Sequence, residues 1–259
     1  MKVKLTTFVL FLFLSVLMKA QEESMPEIIT DRPDQTESPS LVQKGYFQVE
    51  TGFSHEELDH GSFSEKTTAY NTTLVRIGLL SNLELRVGMD YIKSRLETRS
   101  FQMEETGFVP LLVGAKVGIA EARGLFPEIG LIGHIFLPFT AHKDLKPVTT
   151  GVDFRFAFTH DISEKSDLSY NLGAEWVGDT SEATYIYTLA YGYELLNNLG
   201  IFAELYGGLP EDDRAQHHWD AGLTYLLKPN LQLDAYFGTG IDARQEVLYG
   251  AGLSLRLPN

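Results

Sequence analysis

The sequence predicts an all-β fold, specifically a transmembrane antiparallel β-barrel of about 12 strands. Apolar and polar residues alternate in about a dozen short segments, and the apolar face of each segment carries no charge. The segment from Leu83 to Tyr91 shows this most clearly, with Leu, Leu, Val, Met and Tyr alternating with Glu, Arg, Gly and Asp. Successive side chains of a strand point to opposite faces, so this segment has one apolar face and one charged face.

Two architectures accommodate such strands. A soluble β-sandwich buries the apolar faces against a second sheet, whereas a closed membrane barrel turns them to lipid and keeps the charges in a wet lumen. A Lys or Arg side chain facing lipid at mid-depth costs about 2–4 kcal/mol, which favours strict segregation of charge. The strand candidates at 83–92 and 150–160 carry several charges, all on one side. This segregation favours the membrane barrel.

Residues 1–20 have the features of a cleaved signal peptide. Lys2 and Lys4 precede an apolar run from Leu5 to Leu17, and Ala20 is a small residue before a polar stretch. The apolar run is shorter than the roughly 20 residues that span a bilayer, so we expect removal rather than anchoring. Removal takes away three lysines and changes the net charge from −14 to −17. A chain with this negative charge repels the phosphate backbone, so we expect no nucleic-acid partner.

The rest of the chain divides into two parts. Residues 21–44 are polar, acidic and free of periodicity, which predicts an extended periplasmic segment. Residues 45–259 form the predicted barrel, with strands near 45–54, 67–79, 83–92, 108–120, 128–137, 150–160, 167–176, 183–195, 200–209, 217–227, 231–240 and 247–257.

The connections between these strands alternate in length. Longer loops at 55–66, 93–106 and 138–149 alternate with tight turns, as extracellular loops and periplasmic turns do in outer-membrane barrels. An even number of strands places both termini in the periplasm. We therefore expect localisation to the cell outer membrane, with membrane lipid and the barrel-assembly machinery for insertion as partners.

The charged faces define a candidate lumen. Its residues are Glu50, Arg76, Glu84, Arg86, Asp90, Lys116, Asp153, Arg155, Glu175, Glu204, Asp220, Asp234 and Arg256. If the lumen is open, small solutes diffuse through it passively and without a cofactor. If the charges neutralise one another across neighbouring strands, the protein is a non-conducting structural or binding barrel. Twelve strands lie between a side-chain-filled eight-stranded barrel and a water-filled porin, so both alternatives stay open.

Two stretches resemble the start of a known bacterial barrel family. They are Thr30 to Pro39 (TDRPDQTESP) and Lys44 to Gly52 (KGYFQVETG). The family is labelled "putative MetA-pathway of phenol degradation", and its members are often called transporters. The resemblance implies an outer-membrane barrel that passes small solutes, including small aromatic or hydrophobic compounds.

The charged N-terminal motif has two interpretations. Asp31, Arg32, Asp34 and Glu37 could form a plug that reaches the charges of the lumen. They could equally belong to an extended tether in which Asp side chains cap turns. The sequence leaves both open.

Catalytic and metal sites have little support in the sequence. The chain has no cysteine, and the adjacent His217 and His218 point to opposite faces of a strand. A lipid-modifying hydrolase needs a His beside a Ser. His160 and Ser163 fall in a predicted periplasmic turn, and His142 has no adjacent Ser. We therefore expect no enzyme activity, no metal and no cofactor.

Overall fold

The structure is a computed structural model that describes residues 26–178 and 180–258. The predicted signal peptide lies outside these residues. The described part contains thirteen strands: β1 (Tyr46–Asp59), β2 (Phe63–Leu80), β3 (Leu83–Thr98), β4 (Gln102–Phe108), β5 (Leu111–Ala120), β6 (Glu128–Leu137), β7 (Gly151–Ser163), β8 (Ser166–Trp176), β9 (Thr184–Leu196), β10 (Leu199–Pro210), β11 (Gln216–Lys228), β12 (Leu231–Asp242) and β13 (Gln245–Pro258). Two 3-10 helices lie at Pro138–Thr140 and Lys143–Leu145. Among the described residues, no helix is both long enough and apolar enough to cross a bilayer.

The strands form one antiparallel sheet that closes on itself. Apart from β4 and β5, neighbouring strands in the chain pair with each other, and β1 pairs with β13 as well as with β2. Every described strand except β4 therefore has a partner on both edges, and β4 pairs only with β3. Tyr46, where β1 begins, lies opposite Pro258, where β13 ends. The first strand of the wall therefore starts, and the last strand finishes, on the same side of the barrel, here called the turn end. The opposite end is the loop end. The predicted fold class is confirmed.

Strands β4 and β5 occupy a single position in the barrel wall. β4 pairs with the Tyr91–Glu97 part of β3, and β5 pairs with its Leu83–Gly88 part. The two strands are separated at Val109 and Pro110, where proline lacks the N–H that a continuous ladder requires. The wall therefore has twelve positions, as predicted. The single uninterrupted strand predicted at 108–120 is wrong.

The strand faces are inverted relative to those of a soluble protein. On β3, Glu84 and Arg86 are only 0% and 2% exposed, whereas Leu85 and Met89 are 38% and 40% exposed. Exposed apolar side chains elsewhere around the wall include Val113, Phe156, Leu189 and Leu233. An apolar exterior around a charged interior is the arrangement of strands that face lipid.

The first two hairpins at the loop end are longer than the sequence predicts. Loops predicted at 55–66 and 93–106 shrink to 60–62 and 99–101, because β1 to β4 continue into them. Cross-strand ion pairs accompany the extra length: Glu57 with Lys66 at 2.8 Å, and Lys93 with Glu104 at 3.0 Å. A strand that has left the bilayer no longer needs an apolar face, so apolar alternation underestimates its length.

Candidate functional site

Residues 26–44, here called the lumen segment, run inside the barrel without regular secondary structure. The Ile28 N–H donates to the Pro229 carbonyl (2.8 Å) at the turn end, and the Gln35 N–H donates to Glu204 (2.8 Å) deep in the lumen. The chain then returns, and the Gly45 N–H donates to the Gly78 carbonyl (2.9 Å) just before β1. The sequence predicts an extended segment and leaves open whether it is a plug or a periplasmic tether. The contacts of residues 26–44 lie within the lumen.

The lumen segment is attached to nearly the whole wall. Among the described residues it makes hydrogen bonds or ion pairs with every wall position except that of β11. Gly130 shows how closely it fits, because a Cβ there would lie 3.0 Å from the Cα of Pro39. The segment is therefore part of the packed interior.

Asp31 attaches the lumen segment to three basic side chains of the wall. Its carboxylate lies 2.6 Å from Arg86, 2.9 Å from Lys116 and 3.2 Å from Arg76. Burial would raise the pKa of Asp31, but the positive charges of Arg76, Lys116 and Arg86 outweigh burial and hold the pKa well below its usual range. Asp31 is therefore ionised at any physiological pH.

The other charges on this side of the lumen extend the same network. Arg76 also binds Glu50 (2.9 Å) and Glu84 (2.8 Å). Arg86 binds Glu37 of the lumen segment at 2.6 Å. The structure thus brings five predicted wall residues, Glu50, Arg76, Glu84, Arg86 and Lys116, into one ion-pair network with two predicted motif residues, Asp31 and Glu37.

Arg32 crosses to the other side of the lumen. Its guanidinium makes two hydrogen bonds to Asp234, at 2.9 and 3.2 Å, and one to Thr72, at 3.2 Å. Gly52 and Gly252 line its route, because a Cβ at either position would lie 2.5 or 2.4 Å from the Arg32 Nη2. Glycine at these two wall positions therefore makes room for the arginine.

The remaining predicted lumen residues are more dispersed. Asp153 accepts a hydrogen bond from His134 (2.8 Å), and Arg155 lies 3.7 Å from Glu37. Asp90 accepts from the Thr73 N–H, and Arg256 lies at the turn end, where it donates to the Glu27 carbonyl. Glu175 lines a cavity, and Glu204, Asp220 and Asp34 form a separate acidic group.

Charge alone does not reveal all of the functional side chains. Uncharged residues of the same inward faces also hold the lumen segment, including Gln48, Asn171 and Thr188. Gln48 and Asn171 have the strand parity of the predicted lumen charges Glu50 and Glu175, so the alternation pattern contains the signal that could have found them.

Among the cavities that the lumen segment lines, two share the side chains of Arg32 and Asp34. One of about 480 Å³ lies toward the loop end and is lined by Arg86, Asp90, Asp153 and Glu175 among others. One of about 400 Å³ lies at the turn end, beside the turn between β7 and β8. Arg32 and Asp34 line both cavities, so these two side chains lie between them.

Three of the histidines considered from the sequence contact aromatic residues. His217 bonds to Tyr187 (2.6 Å), while His218 stacks on Tyr206. His160 lies 3.4 Å from the Tyr170 hydroxyl, whereas Ser163 bonds to Ser166. Among the described residues, no group of three His, Cys, Asp or Glu side chains has the arrangement of a metal site.

Fold and lumen together define the class of protein: a closed outer-membrane-type β-barrel whose lumen holds its own N-terminal segment. The chain belongs to the family described as "Putative MetA-pathway of phenol degradation", whose model matches residues 30–257. The resemblance stated from the sequence is confirmed. A comparison with curated proteins found no match.

Several solved outer-membrane barrels share the fold. An outer membrane channel from Pseudomonas putida F1 has a TM-score of 0.67 and 13% identity, covering 92% of this chain and 100% of its own. A KdgM porin solved with disordered oligogalacturonate has a TM-score of 0.52 and 11% identity, covering 80% and 98%. The translocator domain of the autotransporter NalP from Neisseria meningitidis has a TM-score of 0.54 and 9% identity, covering 84% and 90%. At these identities the likeness concerns the fold alone.

Proposed function

We propose that the protein is an outer-membrane channel for small solutes, exported by a cleaved signal peptide at residues 1–20. The solutes diffuse passively along the lumen, and the lumen segment narrows their path. The observation that carries this proposal is the pair of cavities, about 480 and 400 Å³, that meet at Arg32 and Asp34. The family and the porin and channel relatives support it. Small aromatic or hydrophobic compounds are the solute class that the family description suggests.

The charge of the cavities supports a preference for cations. In the cavity toward the loop end, seven acidic side chains face three Arg side chains (Asp31, Asp34, Glu37, Glu50, Asp90, Asp153 and Glu175 against Arg32, Arg86 and Arg155). In the cavity at the turn end, five acids face two basic groups (Asp34, Asp161, Glu164, Asp167 and Glu194 against Arg32 and Lys165). An excess of one charge along a narrow path raises the local concentration of the opposite ion.

Bilayer recording tests the proposal. With KCl at different concentrations on the two sides of a planar bilayer, we expect small conductance steps and a reversal potential whose sign indicates cation selectivity. Swelling of proteoliposomes in small neutral solutes gives the second readout. Anion selectivity would contradict the path described here. Absence of both current and swelling, even after the lumen segment is removed, would contradict a channel altogether.

The ion-pair network favours a second candidate, the non-conducting structural or binding barrel. Asp31, Glu37 and their wall partners form a buried ion-pair network on one side of the lumen, as this alternative requires. The same recordings separate the two candidates, because a barrel closed by its own ion pairs passes no current. A lipid-hydrolysis assay on the same preparation tests the hydrolase, for which we expect no turnover.

A further inference from the structure

Glu204 and Asp220 form a carboxyl pair in the lumen wall. They lie directly opposite each other on β10 and β11, with 2% and 0% exposure. Among the described residues, no N–H or O–H donates to either carboxylate oxygen of Asp220. The carboxyl group of Glu204 is its cross-strand neighbour. Two ionised carboxylates opposite each other in a buried site repel strongly, and one shared proton converts the repulsion into a hydrogen bond.

Among the described residues, no basic side chain forms an ion pair with Glu204, Asp220 or Asp34. Arg32, Arg76, Arg86, Lys116 and Arg155 pair with other acids, and Arg256 donates to backbone carbonyls. The titratable and charged groups that face the pair are Asp34 and Arg32 from the lumen segment, Tyr206 from β10, His218 from β11, and Asp234 and Tyr236 from β12. Arg32 is bound to Asp234, and the Tyr206 hydroxyl bonds to Gln245.

The lumen segment reverses its direction beside this carboxyl pair. The Gln35 N–H donates to Glu204 Oε2 at 2.8 Å, and the Thr36 hydroxyl donates to Glu204 Oε1. Asp34 adds a third carboxyl group. Burial and the neighbouring Glu204 and Asp220 carboxylates hold the pKa of Asp34 well above its usual range. The reversal is therefore attached to a part of the described lumen where three neighbouring acidic groups lack basic partners.

We propose that Glu204 and Asp220 share one proton, and that this proton holds the reversal of the lumen segment against the wall. The proposal rests on the channel function proposed above and adds its regulation by pH. With the proton bound, Glu204 keeps its bonds from Gln35 and Thr36. When a base in solution removes the proton, two adjacent carboxylates and Asp34 repel one another, and residues 34–36 leave the wall. Asp31 stays in place, because Arg76 and Arg86 are always charged.

The expected consequence is a channel that opens as pH rises. Movement of residues 34–36 widens the passage between the two cavities, which Arg32 and Asp34 line. Conductance should therefore increase several-fold between about pH 5 and pH 9, the range in which a shared carboxyl proton in a buried site is lost.

A spin label on the lumen segment tests the proposal without relying on conductance. The chain has no cysteine, so Gln35→Cys, at an exposed position, gives a single labelling site. We expect the mobile fraction of the label to rise several-fold from about pH 5 to pH 9. Asp220→Asn should keep the label immobile throughout, because its amide donates to Glu204 without a proton from solution. Glu204→Gln serves as a second variant, and Asp212→Cys in an exposed loop is the control label.

Three results with the spin label would overturn the proposal. The first is a Gln35→Cys label whose mobility does not change with pH. The second is an equal change of mobility in the Asp220→Asn variant. The third is a change of mobility that occurs only when calcium is added and is absent when a chelator is present. A barrel that shows the label transition but passes no current would contradict the channel function and leave the proton pair standing. A barrel that conducts equally at every pH would contradict only the proton pair.

Discussion

Deletion of residues 27–40 is expected to raise single-channel conductance several-fold. This stretch passes twice through the lumen and contains Asp31, Arg32 and Glu37, which attach it to opposite sides of the wall. Its removal joins the two flanking cavities into one path. The wall should survive, because its strand pairing closes from β1 to β13 without this segment. The measurement is planar-bilayer recording of the deletion variant beside the intact protein.

The matched control adds the deleted residues back to the deletion variant as a separate peptide. A synthetic peptide with the sequence of residues 27–40, added on the side of the turn end, should reduce the current of the deletion variant. A peptide with Asp31 and Arg32 replaced by Ala should block less. Equal conductance of the intact and deleted proteins would remove the plug interpretation.

Asp31→Asn is expected to destabilise the folded protein by about 3–5 kcal/mol, the usual consequence of removing one partner of a buried ion pair. Arg76, Arg86 and Lys116 would keep their charges in a buried site without the carboxylate they share. The variant should also loosen the lumen segment. Urea unfolding in lipid vesicles, followed by the fluorescence of Trp176 and Trp219, measures the difference.

Asp144→Asn is the matched control for this substitution. Asp144 lies in the 138–150 loop, 46% exposed, with His142 and Lys143 at 3.5 and 3.9 Å. Exposed pairs of this kind contribute about 0–1 kcal/mol. If Asp31→Asn costs no more than Asp144→Asn, the Asp31 cluster does not anchor the segment.

The contribution of Asp31 also has a defined pH dependence. Its pKa is held below the usual range, so the stabilisation is present above the unfolded pKa of about 3.9 and is lost only as pH falls through the lower, folded value. Attachment at Asp31 therefore persists across the neutral range, in contrast to the proton-dependent attachment at Glu204.

The barrel wall could be predicted from the sequence because lipid imposes a simple rule on each strand. At the depth of the bilayer, Leu85 and Met89 must face outward and Glu84 and Arg86 inward, so alternation alone gives register and face. The rule ends where the bilayer ends. The outer parts of β1 to β4 and the separation at Pro110 were therefore missed or misplaced.

The lumen segment was harder to predict because its structure depends on tertiary contacts. Residues 26–44 have no hydrophobic periodicity, and the ion-pair partners of the Asp31 carboxylate lie 45 or more residues away in the chain. The sequence identifies Asp31, Arg32, Asp34 and Glu37 as a charged motif, and it identifies the wall charges separately. Which acid meets which base depends on the three-dimensional closure of the barrel, which no local pattern encodes.

The location of the lumen segment is the central claim, and one labelling measurement tests it most directly. Ser38 lies deep in the lumen, where its carbonyl accepts a hydrogen bond from Lys116 at 2.7 Å, whereas Asn197 lies exposed in a turn. Single cysteines at the two positions are treated with a maleimide on a polymer too large to enter the barrel. We predict that Asn197→Cys reacts rapidly and that Ser38→Cys reacts only after unfolding. Equal reaction rates in the folded protein would show a segment that hangs outside the barrel, and would contradict the account.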